Sequence, residues 1–184
     1  MNRLLVFALL SALPAASGAA GRPPHRILVM SPYQPAALRR HYEQAAADKQ
    51  AGEKFYKLLQ DYAGQDALIL AYKAASEAIK ARDASMLNKL TYVQQAARTF
   101  DQAVSLDADN AEIRFLRFSV ESNLPPFLGL SKHVDEDKAF LLNAALQHPG
   151  SGMDAQAFET VRGFLVDRGH VSDGDAQRLA QVKG

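Results

Sequence analysis

A long stretch without proline is the feature that most constrains the fold of this chain. Between Ala36 and Leu124 the sequence contains no proline, the residue that most strongly breaks a helix. Apolar residues recur there at intervals of three and four, as at Leu68, Tyr72 and Ala75, which is the spacing of one face of an α-helix. No segment shows the sustained alternation typical of a half-buried strand, so we predict an all-α fold.

Turn signals divide this pattern into a single helical domain over residues 36–184, with about six or seven helices. The first helical region, Ala36 to Tyr62, has polar residues and Gly52 in its middle, so it could be one helix or two. The stretch from Ala111 to Ser122 is apolar nearly all round, which is typical of a helix buried on several sides. The remaining helices are expected at about Asp66 to Arg82, at about Ser85 to Leu106, from near Asp135 to a stop at His148-Pro149-Gly150, from near Asp154 with Leu165 on its apolar face, and from Ser172 to Gln181.

The N-terminal residues have the pattern of a secretory signal peptide. Arg3 supplies a positive charge, residues 4–16 carry no charge and are rich in apolar side chains, and small residues follow at 17–20. This is the order that export requires, and the apolar run is too short for a typical spanning helix. We therefore predict a signal peptide over residues 1–20, cleaved near residues 18–21, and a periplasmic or secreted product. Residues 21–35 contain four prolines and are expected to form an extended leader.

Composition excludes several classes of function. Arg3 is the one charged residue of the first 20, so the rest of the 21 basic residues balance the 20 acidic ones. A neutral mature chain without a basic cluster is unlike a nucleic-acid binder or a protein held on an anionic membrane. The absence of cysteine excludes disulfides, thiolate metal sites, cysteine nucleophiles and a lipid anchor on an N-terminal cysteine. We expect no nucleic-acid partner and no stable membrane anchor.

Part of the helical region resembles a tetratricopeptide repeat. In the segment 96–110, AARTFDQAVSLDADN, the residues Ala96, Phe100 and Ala103 occupy the positions that pack the hairpin in that family. Ala108 replaces the usual proline of the turn, and the distance from Ala75 to Ala96 exceeds that of a standard repeat of about 34 residues. The resemblance covers one unit, a tetratricopeptide-like antiparallel hairpin over residues 66–106.

The whole chain also resembles a family of small exported bacterial helical proteins that have no assigned function. The segments that carry this resemblance are FYKLL and LAYKAA in the first half of the chain and EIRFLRFSVESNLPPFL at its centre. The resemblance implies an exported helical protein and implies no activity.

The sequence contains no recognisable catalytic or cofactor motif. No zincin histidine pair, nucleophile elbow, phosphate loop or dinucleotide fingerprint is present. The acidic run around His133 and Asp135 could bind a divalent cation, but capping and complementing the dipole of a helix start explains it better. We therefore predict no catalytic residues, no metal and no cofactor.

Charged residues in an otherwise apolar helix are the most unusual feature. Arg114, Arg117 and Glu121 fall on one stripe of the helix over residues 111–122, and buried charges must be paired. We expect an Arg117–Glu121 pair, with Arg114 reaching a helix carbonyl or another acid. The alternative is a site for an anion or a peptide carboxylate.

An apolar loop follows this helix and completes the candidate site. Its residues Asn123, Pro125, Pro126, Phe127 and Leu128 either fold onto the core or expose a hydrophobic patch that binds a partner. The favoured hypothesis is a non-enzymatic module that binds an envelope protein or peptide. The alternatives are a periplasmic hydrolase whose site is assembled only in three dimensions, and a carrier of small molecules or lipids.

Overall fold

A computed structural model describes residues 31–184, and the predicted signal peptide and most of the leader lie outside the described residues. The described residues contain eight α-helices and one short 3₁₀ turn, and no strand among them. The all-α prediction is therefore confirmed. The helices are α1 Pro35–Ala47, α2 Lys49–Leu59, α3 Ala67–Asp83, α4 Met86–Leu106, α5 Ala111–Glu121, α6 Val134–Leu146, α7 Ala155–Asp167 and α8 Asp173–Ala180, with the 3₁₀ turn at Pro126–Leu128.

The first helical region is two helices, which raises the count above the predicted six or seven. Asp48 has an extended backbone that ends α1, and its carboxylate accepts a hydrogen bond from the N–H of Ala51 at 2.7 Å. An N-cap of this kind satisfies one of the free amides at the start of a helix. The cap lets α2 turn away from α1 and pack against α3, where Gly52 approaches Ile79 too closely for a larger residue to fit without adjustment.

Helices α3 and α4 form an antiparallel hairpin, with only Ala84 and Ser85 between them. They make the most extensive helix–helix contact among the described residues. Across the hairpin, the buried carboxylate of Glu77 accepts hydrogen bonds from Gln95 Nε2 and Thr99 Oγ1, both at 2.8 Å. This pairing fixes the register of the two helices.

Helix α5 lies at the centre of the described chain and takes part in two hydrophobic clusters. Ile113 and Leu116 pack with residues of α1 to α4, whereas Phe115 and Phe118 pack with residues of α6 to α8. Its side chains are buried all round from Ala111 onward, as the sequence predicts. Residues 31–184 form one compact unit by their contacts, and no helix within that range is both long and apolar enough to cross a membrane.

Candidate functional site

The two arginines of α5 are bound to acceptors within the chain. Arg117 makes a bidentate contact with Asp137, from Nε to Oδ2 at 2.7 Å and from Nη2 to Oδ1 at 2.8 Å. Arg114 donates to the same carboxylate at 2.9 Å, to the carbonyl of Ala108 at 2.8 Å, and to Glu136. Asp137 is completely buried, so the contacts join α5 to α6 as an internal ion cluster.

The structure corrects the partner expected for Arg117 and gives Arg114 one of the two kinds of acceptor expected for it. The expected Arg117–Glu121 pair does not form, because the first turn of α6 places Asp137 against Arg117. Arg114 reaches an acid, as expected, but its carbonyl acceptor is Ala108 of the turn between α4 and α5 and not a helix residue. Both guanidinium groups already bond acceptors within the chain. The cluster therefore resembles a structural contact between α5 and α6 more than a site for an external anion.

Glu121 instead binds His133 at the start of α6. Its carboxylate accepts from the backbone N–H of His133 at 2.8 Å and lies 2.9 Å from the ring Nδ1. The ring Nε2 lies 3.9 Å from Asp101. A carboxylate that orients a histidine occurs in hydrolases, but His133 lines neither of the two concave regions described below.

The acidic run that could have been a metal site has other contacts. Asp135 bonds to Lys138 at 2.9 Å and makes no cap hydrogen bond. The Arg114 guanidinium beside Glu136 holds the pKa of that carboxyl below its usual range. No group of three or more potential metal ligands is found within residues 31–184.

The loop after α5 is folded against the domain at some residues and exposed at others. Leu124 and Leu128 are partly buried, whereas Asn123, Pro125 and Pro126 are exposed. Phe127, in the 3₁₀ turn, is 85% exposed. One exposed apolar side chain is ordinary, so what this exposure indicates depends on the side chains beside it.

The loop forms one wall of an apolar groove. Helices α3 and α4 form the other wall, where Ile79, Met86, Leu90 and Val93 face the loop residues. The groove has a volume of about 670 Å³, which is in the range of sites that bind ligands or partner side chains. Its lining is Ala78, Ile79, Ala81, Arg82, Met86, Lys89, Leu90, Val93, Ser119, Val120, Asn123, Leu124, Pro125, Phe127 and Leu128.

Exposed apolar side chains are concentrated at the rim of this groove. Met86 is 83% exposed, the adjacent Leu87 is 91% exposed, and Leu90 is 46% exposed. With Phe127 they make up most of the large apolar side chains that water reaches in residues 31–184. Single exposed apolar residues are ordinary, but a contiguous group marks a candidate interaction site.

The polar groups of the groove are few, and most are already bonded. Arg82 donates to the carbonyls of Ala45 and Ala46 and pairs with Asp83. Ser119 donates to the carbonyl of Leu116, and the Asn123 amide donates to the carbonyl of Ser119. Lys89 is exposed and makes no ion pair with any residue of the described chain. The groove is therefore apolar, with a cationic rim and no acidic lining residue.

A second concave region is smaller and lies between α1, α5 and α7. It has a volume of about 150 Å³, with Tyr42, Phe115 and Phe164 among its lining residues. At one end Arg39 binds Glu112 at 2.6 Å, and the hydroxyl of Tyr72 donates to the same carboxylate at 2.5 Å. Burial raises the pKa of Tyr72. Because Arg39, Glu112 and Tyr72 bond one another, none of these three side chains is free to bind a ligand in the cleft.

The structure separates the candidate residues. Arg114 and Arg117 form internal ion pairs and Glu121 hydrogen-bonds His133, whereas Asn123, Pro125, Phe127 and Leu128 line the groove. Pro126 is exposed and is not part of the lining. The α4 side of the groove, with Met86 and Leu90, is missing from the sequence-based site. The available signal was Leu87, an apolar residue that lies off the helical stripe of Met86 and Leu90.

Comparison of the chain with protein-family models, with curated proteins and with solved structures finds no match. The function proposed below is therefore supported by the groove and its side chains.

Proposed function

We propose that this protein is a non-enzymatic interaction module that binds a segment of another protein in the apolar groove. The observation that carries the proposal is the exposure of Met86, Leu90 and Phe127 on both sides of one concave surface. Covering these side chains would remove apolar area from water, which is the main driving force of protein association. No histidine or acidic residue lines the groove, and the one hydroxyl of its lining, Ser119, donates to the carbonyl of Leu116.

The resemblance to a tetratricopeptide hairpin supports this proposal as an analogy. Ala96, Phe100 and Ala103, the residues that carry the resemblance, are all buried. Hairpins of that family form surfaces suited to peptides and helices. An analogy of fold is a weak reason for a function, so the groove itself carries the proposal.

We also propose that the module acts outside the cytoplasm, in the periplasm or as a secreted protein. The support is the charged, apolar and small-residue order of residues 1–20. A chain without cysteine is compatible with an oxidising compartment because it forms no incorrect disulfides.

Site-specific photo-crosslinking tests the proposed function. A photoreactive phenylalanine analogue at position 127 is expected to crosslink the full-length chain to a discrete protein in the cells that make it. The same analogue at Leu106, which is exposed at the opposite end of α4, is the control and should give no such product. The substitution Leu90→Ser should abolish crosslinking from position 127.

Two results would count against the proposal. One is the same set of products from positions 127 and 106, which would indicate nonspecific collision. The other is a product from position 127 that survives Leu90→Ser, since Leu90 forms the opposite wall.

A further inference from the structure

We infer that the groove takes an amphipathic helix with an acidic flank, supplied by a different protein. This inference rests on the proposed function and names the chemistry of the partner. The inference has three parts. The partner segment is a helix, it carries negative charge, and it belongs to a protein and not to a lipid. Each part follows from the side chains that line the groove.

The shortage of free hydrogen-bonding groups indicates a helix. An extended peptide would bury its backbone N–H and C=O groups against apolar side chains, and each unpaired buried group costs free energy. Ser119 donates its hydrogen and Asn123 donates one of its two amide hydrogens within the chain, and Arg82 is similarly occupied. A helix satisfies its own backbone and needs only apolar contacts. No strand edge is present within residues 31–184 to accept an extended segment.

The spacing of the groove residues fits the same form of partner. Met86, Leu90 and Val93 follow one another at intervals of four and three along α4. Rows of this kind pack against the rows of a second helix. A partner with apolar residues at positions i, i+3, i+4 and i+7 would place them between α4 and Phe127.

The charge of the rim indicates an acidic partner. Arg82 and Lys89 are the two charged residues of the lining. Asp83 bonds Arg82 and is near enough to Lys89 for the lysine to help lower the pKa of its carboxyl. Lys89 itself is exposed and forms no ion pair within the described chain, so one carboxylate faces two cations and the rim keeps a positive charge. A carboxylate on the partner would complement this positive rim and favour the correct orientation.

The same charge argues against a second copy of this chain as the occupant. In a twofold dimer one surface meets itself, and the lysine of each copy would approach the same cationic rim. Like charges brought together in this way oppose association. A partner with the opposite charge avoids this cost.

The shape of the exposed patch favours a protein segment over a single lipid. Leu87 lies beyond the lining of the groove and is almost fully exposed, as are Met86 and Phe127 on the rim. A single acyl chain within the groove would contact only the inner parts of Met86 and Phe127 and would leave Leu87 in water. A helix about 10 Å wide, with its own side chains on both flanks, would cover them.

Peptide titrations with the full-length chain test the inference. The probes are fluorescently labelled helical peptides of about four turns with leucine at the four positions above, and their flanks carry glutamate, glutamine or lysine. The glutamate peptide should bind most tightly and the lysine peptide most weakly, with at least a tenfold difference in Kd. The substitution Lys89→Glu should reverse that order.

A matched pair of variants connects the binding to the groove. Leu90→Ser should weaken the glutamate peptide at least tenfold. Leu106→Ser, at a leucine of the same helix with similar exposure, should leave its Kd unchanged. Circular dichroism of both variants checks that the helical content is preserved.

The outcomes separate the inference from the proposed function. Equal affinity for the three peptides, or no binding of any of them, would overturn the inference, and crosslinking from position 127 would still decide the proposed function. Binding to vesicles of anionic phospholipid that is lost with Leu90→Ser would replace the protein partner by a membrane surface. Failure of both the peptides and the crosslinking would overturn both proposals.

Discussion

Two faces of α5 lead to regions that differ in whether their side chains already have partners within the chain. On one face, Arg114 and Arg117 meet Asp137, and the charges are buried with partners at hydrogen-bond distance. On another, Val120 leads to the apolar groove, where Phe127 and Met86 remain exposed. In the sequence the charged face suggests a binding site, but in the structure its arginines are buried and already paired. The apolar residues of the other face suggest ordinary core in the sequence, but in the structure they lead to a groove that is open to water. This groove is where we propose that a partner binds.

The largest effect is expected from removing the acceptor of the ion cluster. Asp137→Ala would leave two guanidinium groups with little exposure and without their shared carboxylate. Breaking a buried ion pair in this way costs about 3–5 kcal/mol. Urea denaturation of the variant and the parent would measure the loss.

A neighbouring residue provides the control for this prediction. Asp135, two residues earlier in α6, is 92% exposed and pairs only with Lys138. Asp135→Ala should change the free energy of unfolding by less than about 1 kcal/mol. A comparable loss in the two variants would indicate that the acidic first turn of α6 matters through the helix dipole and not through the arginines.

A smaller effect, of opposite sign, is expected at a buried carboxylate that forms no direct ion pair with any described residue. Glu77 is held by Gln95 and Thr99 alone, and burial raises the pKa of its carboxyl. Because the folded pKa lies above the unfolded one, this group disfavours folding as the pH rises through the folded value. Glu77→Gln should therefore increase the free energy of unfolding at pH 8.

The pH dependence distinguishes charge from packing at this position. Below the ordinary glutamate pKa the carboxyl is protonated in both folded and unfolded chains, so the difference between the variant and the parent should shrink toward pH 4. The side-chain amide introduced by Glu77→Gln can keep both contacts, since its carbonyl accepts from Gln95 and its NH₂ group donates to Thr99 Oγ1. If the difference in the free energy of unfolding between the variant and the parent does not change with pH, then the packing of this side chain, and not its ionisation, controls stability here.

Local spacing was sufficient to predict most of the fold. Asp66, Asp154 and Ser172 accept the hydrogen bonds of N-caps at helix starts that the sequence indicated, because capping depends on a few neighbouring residues. The division of the first helical region at Asp48 was left open. Asp48 accepts the same kind of cap hydrogen bond there, but the polar residues around it are equally compatible with the exposed side of one continuous helix.

The candidate site was predicted less completely because its halves come from distant segments. The loop with Phe127 was identified as a possible patch, and Arg114 and Arg117 as charges that need partners. Helical spacing gives neighbours within one helix, so it favoured Glu121 as the partner of Arg117. The true partner is Asp137, 20 residues away. In the same way, Met86 and Leu90 belong to the stripe of α4, and only the assembled fold leaves that end of the stripe uncovered.

The smallest change in stability is expected at the most exposed aromatic residue, and it is the most direct test of the comparison. Phe127→Ala removes a side chain that is 85% exposed, so the free energy of unfolding should change by less than about 0.5 kcal/mol. Phe118→Ala, at a fully buried ring of α5, should cost about 3–5 kcal/mol. If Phe127→Ala destabilises the chain by more than about 1 kcal/mol, Phe127 packs against the domain in solution and the groove is closed. A small effect on stability together with loss of crosslinking or peptide binding is the result expected of a side chain retained for a partner.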